Sequence, residues 1–133
     1  MPTASCQCGA LTAEVEAWSP AVVACHCLAC QRRTGSAFGV GVYYPADAVS
    51  VTGSPRSYAR PTSTGGEFLT QFCGDCGSSV LWTTAKHPGL VGIAVGAFAD
   101  SRVPPPVRSV WEATKHPWVE VGCAMEHFPG ARL

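Results

Sequence analysis

Cys25, Cys27 and Cys30 place three thiols within six positions, and Arg32 and Arg33 follow after Gln31. Two further groups carry the same residue type, Cys6-Gln7-Cys8-Gly9 and Cys73-Gly74-Asp75-Cys76-Gly77, so seven of the eight cysteines are clustered. Spacings of one and two residues let two sulfurs reach one ion without the entropy of closing a long loop. Thiolate-rich tetrahedral sites favour zinc. Gly77 fits a knuckle of this kind, because the backbone that turns around a pair of sulfurs often needs positive φ.

Seven ligands cannot fill two tetrahedral sites. A partition of four plus three gives one closed site, which holds structure, and one with an open position, which leaves room for water or substrate. Which cysteines belong together stays open at this level. The two CxxC pairs could meet, yet 42 residues separate Cys30 from Cys73, against about 15–20 in simple zinc ribbons. A disulfide framework is the competing reading, supported by the even number of cysteines.

At 133 residues the chain is expected to form a single domain, residues 1–133. Hydrophobic residues make up 47% and charged residues 14%, which suits a buried core and argues against disorder. Nine basic and nine acidic residues give a formal charge of +0. No Lys/Arg run exceeds the Arg32-Arg33 pair, so a nucleic-acid partner is not expected. The first basic residue is Arg32, and the longest apolar run, 90–99, falls short of the roughly 20 residues that span a bilayer. The expectation is a cytoplasmic chain without a membrane partner, where reduced thiols disfavour disulfides.

The elements that must position the thiols are short. Residues 10–18 alternate apolar Leu11, Ala13, Val15 and Ala17 with polar partners, the period of a half-buried strand. Further strands are expected at 36–44, 48–53, 66–72, 78–84, 90–98 and 118–122, with 66–72 and 78–84 flanking the second CxxC as a hairpin. One helical turn is expected after Cys30, and Pro104-Pro105-Pro106 forms a rigid surface connection. Scattered Gly and Pro between such strands predict an all-β fold, mainly β with short helical turns.

The ordered set of motifs is more specific than any one of them. Cys6–Gly9 (C-x-C-G), Cys25–Cys30 (C-H-C-x-x-C), Gly35–Phe38 (G-S-x-F), Val51–Gly53 (V-T-G) and Phe72–Gly77 (F-C-x-x-C-G) together resemble the glutathione-dependent formaldehyde-activating enzyme family, which includes the centromere protein V group. The resemblance runs from about residue 5 to 120 and implies an Mss4-like zinc-containing β-sheet fold. Cys6, Cys8, Cys73 and Cys76 would then hold a structural zinc, and Cys25, Cys27 and Cys30 a second, catalytic zinc. One departure stands out: the family pattern carries His-Ile-aromatic before a Lys-x-Pro-Trp stretch, and here Ser109 takes the histidine's place. The basic tracts that would suit a chromatin role like that of the centromere group are missing from this sequence.

The resemblance implies a carbon–sulfur lyase acting on a thiol–aldehyde adduct such as S-(hydroxymethyl)glutathione, with glutathione as co-substrate. A zinc held by three thiolates is electron-rich and poorly suited to activating water, but it can hold an exchanging thiolate. Arg32 and Arg33 would offset the negative charge or dock a substrate carboxylate, a solvated face being the plainer reading. The alternative is a non-catalytic zinc scaffold, with the second site completed by water, His26 or Cys123. An extended Cys25-His26-Cys27 points His26 away from the sulfurs. Cys123 reads as a buried core residue and His87, His116 and His127 as surface or capping groups. Glu67 and Asp75 read as solvated turn positions, and Trp82, Trp111 and Trp118 as core or cleft walls.

Overall fold

The computed structural model describes residues 1–132. Eleven strands form, each short because Gly, Pro or a polar turn interrupts the β-prone residues: β1 (Thr3–Ser5), β2 (Thr12–Glu14), β3 (Val22–Cys25), β4 (Gly39–Pro45), β5 (Ser50–Thr52), β6 (Arg56–Pro61), β7 (Glu67–Phe72), β8 (Ser79–Thr84), β9 (Leu90–Ala94), β10 (Arg108–Val110) and β11 (Glu126–His127). Two helices join them, α1 (Leu28–Thr34) and α2 (Val95–Phe98), along with single 3₁₀ turns at Ala46–Ala48 and Glu112–Thr114. The protein is mostly β, as its sequence predicts. No helix among the described residues is long and apolar enough to cross a membrane.

The strands form a three-stranded sheet, β1-β2-β5, and an eight-stranded sheet, β11-β10-β3-β4-β9-β8-β7-β6. Pairing is antiparallel except where β10 runs parallel to β3 and to β11. The core lies between the small sheet and one face of the large one. Leu11, Ala13 and Val15 enter it from β2 and its flanks, and Val42, Leu81 and Ile93 from the centre of the large sheet. Period-two geometry then sends alternate residues of the large sheet to its other face. On β4, Val42 and Tyr44 enter the core while Gly39, Gly41 and Tyr43 line a cavity on the opposite side. That second face builds the site.

Several boundaries differ from the sequence expectation. The strand expected over 10–18 pairs only at Thr12–Glu14; Leu11, Ala13 and Val15 are buried as predicted, whereas Ala17 is exposed. The strand expected over 90–98 stops at Ala94, and the chain winds into α2, which turns Phe98 into the core edge-on to Trp18 at 5.0 Å. No strand forms over 118–122; the outer edge of β10 is taken instead by β11. Trp118 is neither core nor cleft wall, being 72% exposed and stacked on His116 at 5.4 Å. Cys123 is half-buried rather than buried, its thiol directed at the Pro106 carbonyl oxygen 3.6 Å away. The helix near the cysteines starts before Cys30: Cys27 caps it, and Gly35 ends it in the left-handed region at φ 66°.

Candidate metal centres and the adjoining cavity

All eight cysteines are free thiols, and seven fall into two groups. Cys6 and Cys8 lie between β1 and β2, and Cys73 and Cys76 in the turn joining β7 to β8; all four sulfurs are within 4.8 Å of one another. The Cys6–Cys8 and Cys8–Cys73 separations are 3.7 and 3.6 Å. A tetrahedral zinc with Zn–S bonds of about 2.3 Å sets its sulfurs about 3.8 Å apart, so this donor set fits the ion. The backbone N–H groups of Leu11 and Asp75 donate to the sulfurs of Cys6 and Cys73 at 3.2 and 3.4 Å, which favours the thiolate. Cys76 is held down to about 5, first by its hydrogen bond with the Ser78 hydroxyl and then by the Ser78 backbone. Gly77 supplies the knuckle's positive φ, 81°.

The second group differs by one ligand. Cys25 ends β3, Cys27 caps α1 and Cys30 sits in its first turn, with all three sulfurs within 4.8 Å of one another. No fourth His, Cys, Asp or Glu joins them among the described residues. Hydrogen bonds from the Cys25 and Cys30 thiols, together with the Cys30 N–H at 3.3 Å, hold Cys27 down to about 2, while Cys25 is pushed up by sharing a proton with Cys27 and by burial. Sharing a thiolate among three sulfurs in this way suits them to hold a cation.

His26 stands apart from the triad despite its place between two of the cysteines. It is 1% exposed, its Nε2 lies 2.9 Å from Ser109 Oγ, and its ring packs on Phe38 at 5.2 Å. Burial holds its pKa below the usual imidazole value. Ser109 is itself fully buried, on the face of β10 opposite Arg108 and Val110. The departure from the family pattern at this position therefore sits behind the sheet, in contact with His26 and away from the cavity.

The triad opens onto a cavity of about 850 Å³. Its floor is the second face of the large sheet, where close approach requires glycine. A Cβ on Gly41 or Gly92 would fall 2.4 or 2.2 Å from the Trp82 ring, so the indole lies flat across β4 and β9 only because both positions are bare. Phe68 stacks on Trp82 at 5.8 Å, and the indole N–H donates to the Tyr43 hydroxyl at 3.1 Å. Two guanidinium groups cap this aromatic wall, Arg33 at 4.3 Å over Trp82 and Arg60 at 4.5 Å over Phe68.

Of the two arginines after the triad, Arg33 lines the cavity, one helical turn beyond Cys30 on the same face of α1. Arg32 is exposed and does not line it. His87, read from sequence as a surface group, is exposed but borders the cavity and packs on Tyr43 at 6.0 Å. Trp82 and Trp111 are walls as expected. Tyr43, Arg60, Phe68 and Arg108 carry no signal in the sequence. Each lies alone on a different strand, and no motif links them.

The sequence profile described as "glutathione-dependent formaldehyde-activating enzyme" matches residues 1–114 of the chain. Among solved structures, the fold is similar to a crystal structure of a Rhodobacter sphaeroides protein determined as a structural genomics target. The two are 25% identical with a TM-score of 0.59, covering 77% of this chain and 91% of that one. A search of curated proteins found no match.

Proposed function

Because the chain belongs to the glutathione-dependent formaldehyde-activating enzyme family, we propose that it forms or cleaves the adduct between a small thiol and an aldehyde, S-(hydroxymethyl)glutathione being the adduct the family points to. One observation carries this reading. The site formed by Cys25, Cys27 and Cys30 has three sulfurs and faces an 850 Å³ cavity, whereas the site of Cys6, Cys8, Cys73 and Cys76 has four and lines no part of it. That difference supports reading the first as a centre with a position left for a ligand and the second as a closed centre suited to structure.

Zinc bound by the triad would supply a coordination position at which an incoming thiol loses its proton to solvent. The remaining work falls to the cavity wall. Trp82 and Phe68 shield one side from water, and holding both reactants in a confined space supplies much of the rate. In adduct formation the thiolate sulfur attacks the aldehyde carbon, the C–S bond forms, and the carbonyl π pair passes to oxygen, which needs a proton. Tyr43 is the donor at hand. Its hydroxyl oxygen accepts from Trp82, leaving its own O–H without an acceptor among the described residues. Burial pushes the phenol up, so it remains protonated at neutral pH. Tyr43 regains its proton from solvent after each addition. In cleavage the adduct's hydroxyl proton passes to solvent as the C=O π bond re-forms and the C–S electron pair returns to sulfur.

Cobalt substitution tests the open position. Protein holding two cobalt ions per chain is expected to change its charge-transfer spectrum at one ion when glutathione is added. Two ions indifferent to the thiol would replace the enzyme by a zinc-stabilised scaffold. Tyr43→Phe is expected to lower kcat by about a hundredfold with KM for the thiol nearly unchanged. Steady-state kinetics showing an unaltered kcat would remove Tyr43 from the proton transfer.

A further inference from the structure

The large cavity has two ends, and both are cationic. Five of the chain's nine Lys and Arg line it, while none of its nine Asp and Glu does. Two of the five belong to the triad end: Arg33 is one helical turn past Cys30, and Arg108 pairs with Val23, two residues before Cys25. The other three, Arg60, Lys86 and Arg132, line the opposite end together with Thr62, Ser63 and Thr64. Among the described residues none of these three takes part in an ion pair; the two pairs present, Arg102–Asp100 and His127–Glu112, lie elsewhere. Glu67 is close in sequence, but it precedes Phe68 by one residue and so projects from the other face of β7.

Three contacts bring the far group together. Arg60 pairs with Phe68 and Phe68 with Thr84, one row across β6, β7 and β8, and the Arg60 guanidinium lies 4.5 Å over the Phe68 ring. The β6–β7 turn, which carries the three hydroxyl residues, rests against the β8–β9 turn, which carries Lys86. There the Ala85 N–H donates to the Glu67 carbonyl oxygen at 3.1 Å, and a Cβ on Gly66 would fall 2.5 Å from that of Ala85. Lys86 Nζ donates to the Arg132 carbonyl oxygen at 2.9 Å, which holds Arg132 at the same place.

The separation of the two ends decides what can touch both. Gly39 pairs with Cys25, Tyr43 stands level with Trp82 through Gly92, and Lys86 follows Trp82 by four residues. Four to six residues of strand put about 13–20 Å between the sulfurs and the far cations. Between them the wall is mainly apolar and aromatic, with Val23, Tyr43, Phe68 and Trp82. The carboxylates of a cysteine-centred tripeptide lie only two to three residue lengths, about 7–10 Å, from its sulfur and fall short. A phosphate brings three acceptor oxygens and nearly two negative charges, which three cations beside hydroxyl donors match better than one carboxylate does.

We propose that the thiol preferred at the triad carries a phosphate at the far end of an uncharged arm about 15 Å long, and that Arg60, Lys86 and Arg132 receive this phosphate. The inference rests on the reading of Cys25, Cys27 and Cys30 as the thiol site, and it changes what that site takes. A short thiol such as glutathione reaches the triad but leaves the far cations without an anion, whereas a long phosphorylated thiol fills both ends.

The test uses zinc-loaded full chain in phosphate-free buffer and titration calorimetry with phosphopantetheine and pantetheine, thiols of the required length that differ only in the phosphate. Phosphopantetheine is expected to bind about a hundredfold more tightly than pantetheine, and more tightly than glutathione. Lys86→Met and Arg60→Met are each expected to cut that ratio by about tenfold with zinc content unchanged. The comparison of the two thiols needs no variant, so it stands even if a variant fails to fold. Equal binding of the two, tighter binding of glutathione, no binding of phosphopantetheine at millimolar concentration, or an unchanged ratio in folded variants would each overturn the proposal. The S-methyl derivatives of both probes, which have no proton to lose at sulfur, separate the two ends. A phosphate preference that survives methylation in a protein whose cobalt spectrum ignores every thiol would keep the phosphate end and discard the thiol site. A spectrum that responds to glutathione, with equal affinity for the two pantetheines, would keep the thiol site and discard the phosphate end.

Discussion

Cys76→Ser is expected to leave the protein unable to fold. Cys76 belongs to the four-sulfur group that ties the β1–β2 loop to the β7–β8 turn, joining residues far apart in sequence and linking the small sheet to the large one. Structural zinc sites contribute about 10–16 kcal/mol in small zinc-binding peptides, comparable with or above the roughly 5–15 kcal/mol stability of a whole domain. A serine hydroxyl is a poor ligand for zinc, and losing the thiolate also removes the acceptor near Ser78. The variant should be insoluble, or soluble without a cooperative thermal transition, and a strong chelator should do the same to the unaltered protein. A variant that melts at the parental temperature would show that the four-sulfur centre does not hold the fold.

Cys27→Ser is expected to give the opposite result, a folded protein without activity. Cys27 caps α1, its sulfur accepting from the Cys30 N–H. Serine is among the preferred residues at that position, so the helix start survives the substitution. What disappears is one of three ligands and the thiol whose pKa lies lowest in the triad, at about 2. Removing even an outer partner of a metal ligand typically costs 10–100-fold in affinity or activity, and removing the ligand itself should exceed the upper figure. The expected readouts are an unchanged circular dichroism spectrum, one zinc fewer per chain, and thiol–aldehyde activity reduced by more than about a hundredfold. Full activity with one zinc lost would end the assignment of chemistry to this centre. Paired with Cys76→Ser, the result separates the two centres by consequence: one variant loses the fold, the other only the chemistry.

Much of the molecule is legible in the sequence because it is local. The three cysteine groups, the positive φ at Gly77 and the β-rich character all follow from spacing, periodicity and turn residues, which act over a few positions. The order of the motifs along the chain is enough to point to the family. The grouping of the cysteines is different. Spacing leaves the partition into four and three open, and only the resemblance suggests which belong together; the fold brings Cys6 and Cys8 to Cys73 and Cys76 across more than sixty residues.

The cavity is legible only in fragments, such as Trp82, Trp111 and Arg33. Alternation tells which face of a strand a residue occupies, but not which strands are neighbours. Here β3 pairs with β10 and β4 with β9, both far off in sequence, so the residues that share the cavity floor come from scattered positions. Arg32 and Arg33 look equivalent in the sequence; only the phase of α1 relative to the sheet turns Arg33 inward and leaves Arg32 in solvent. Gly41 and Gly92 read as loose spots in two strands, yet their missing side chains are what let Trp82 lie flat. The sequence by itself determined which groups can bind metal, because thiolate affinity and short loops are local properties. The tertiary structure alone decided which of the two cysteine groups opens onto a cavity, because a cavity is made by strand order, and strand order is set by the packing of the whole chain.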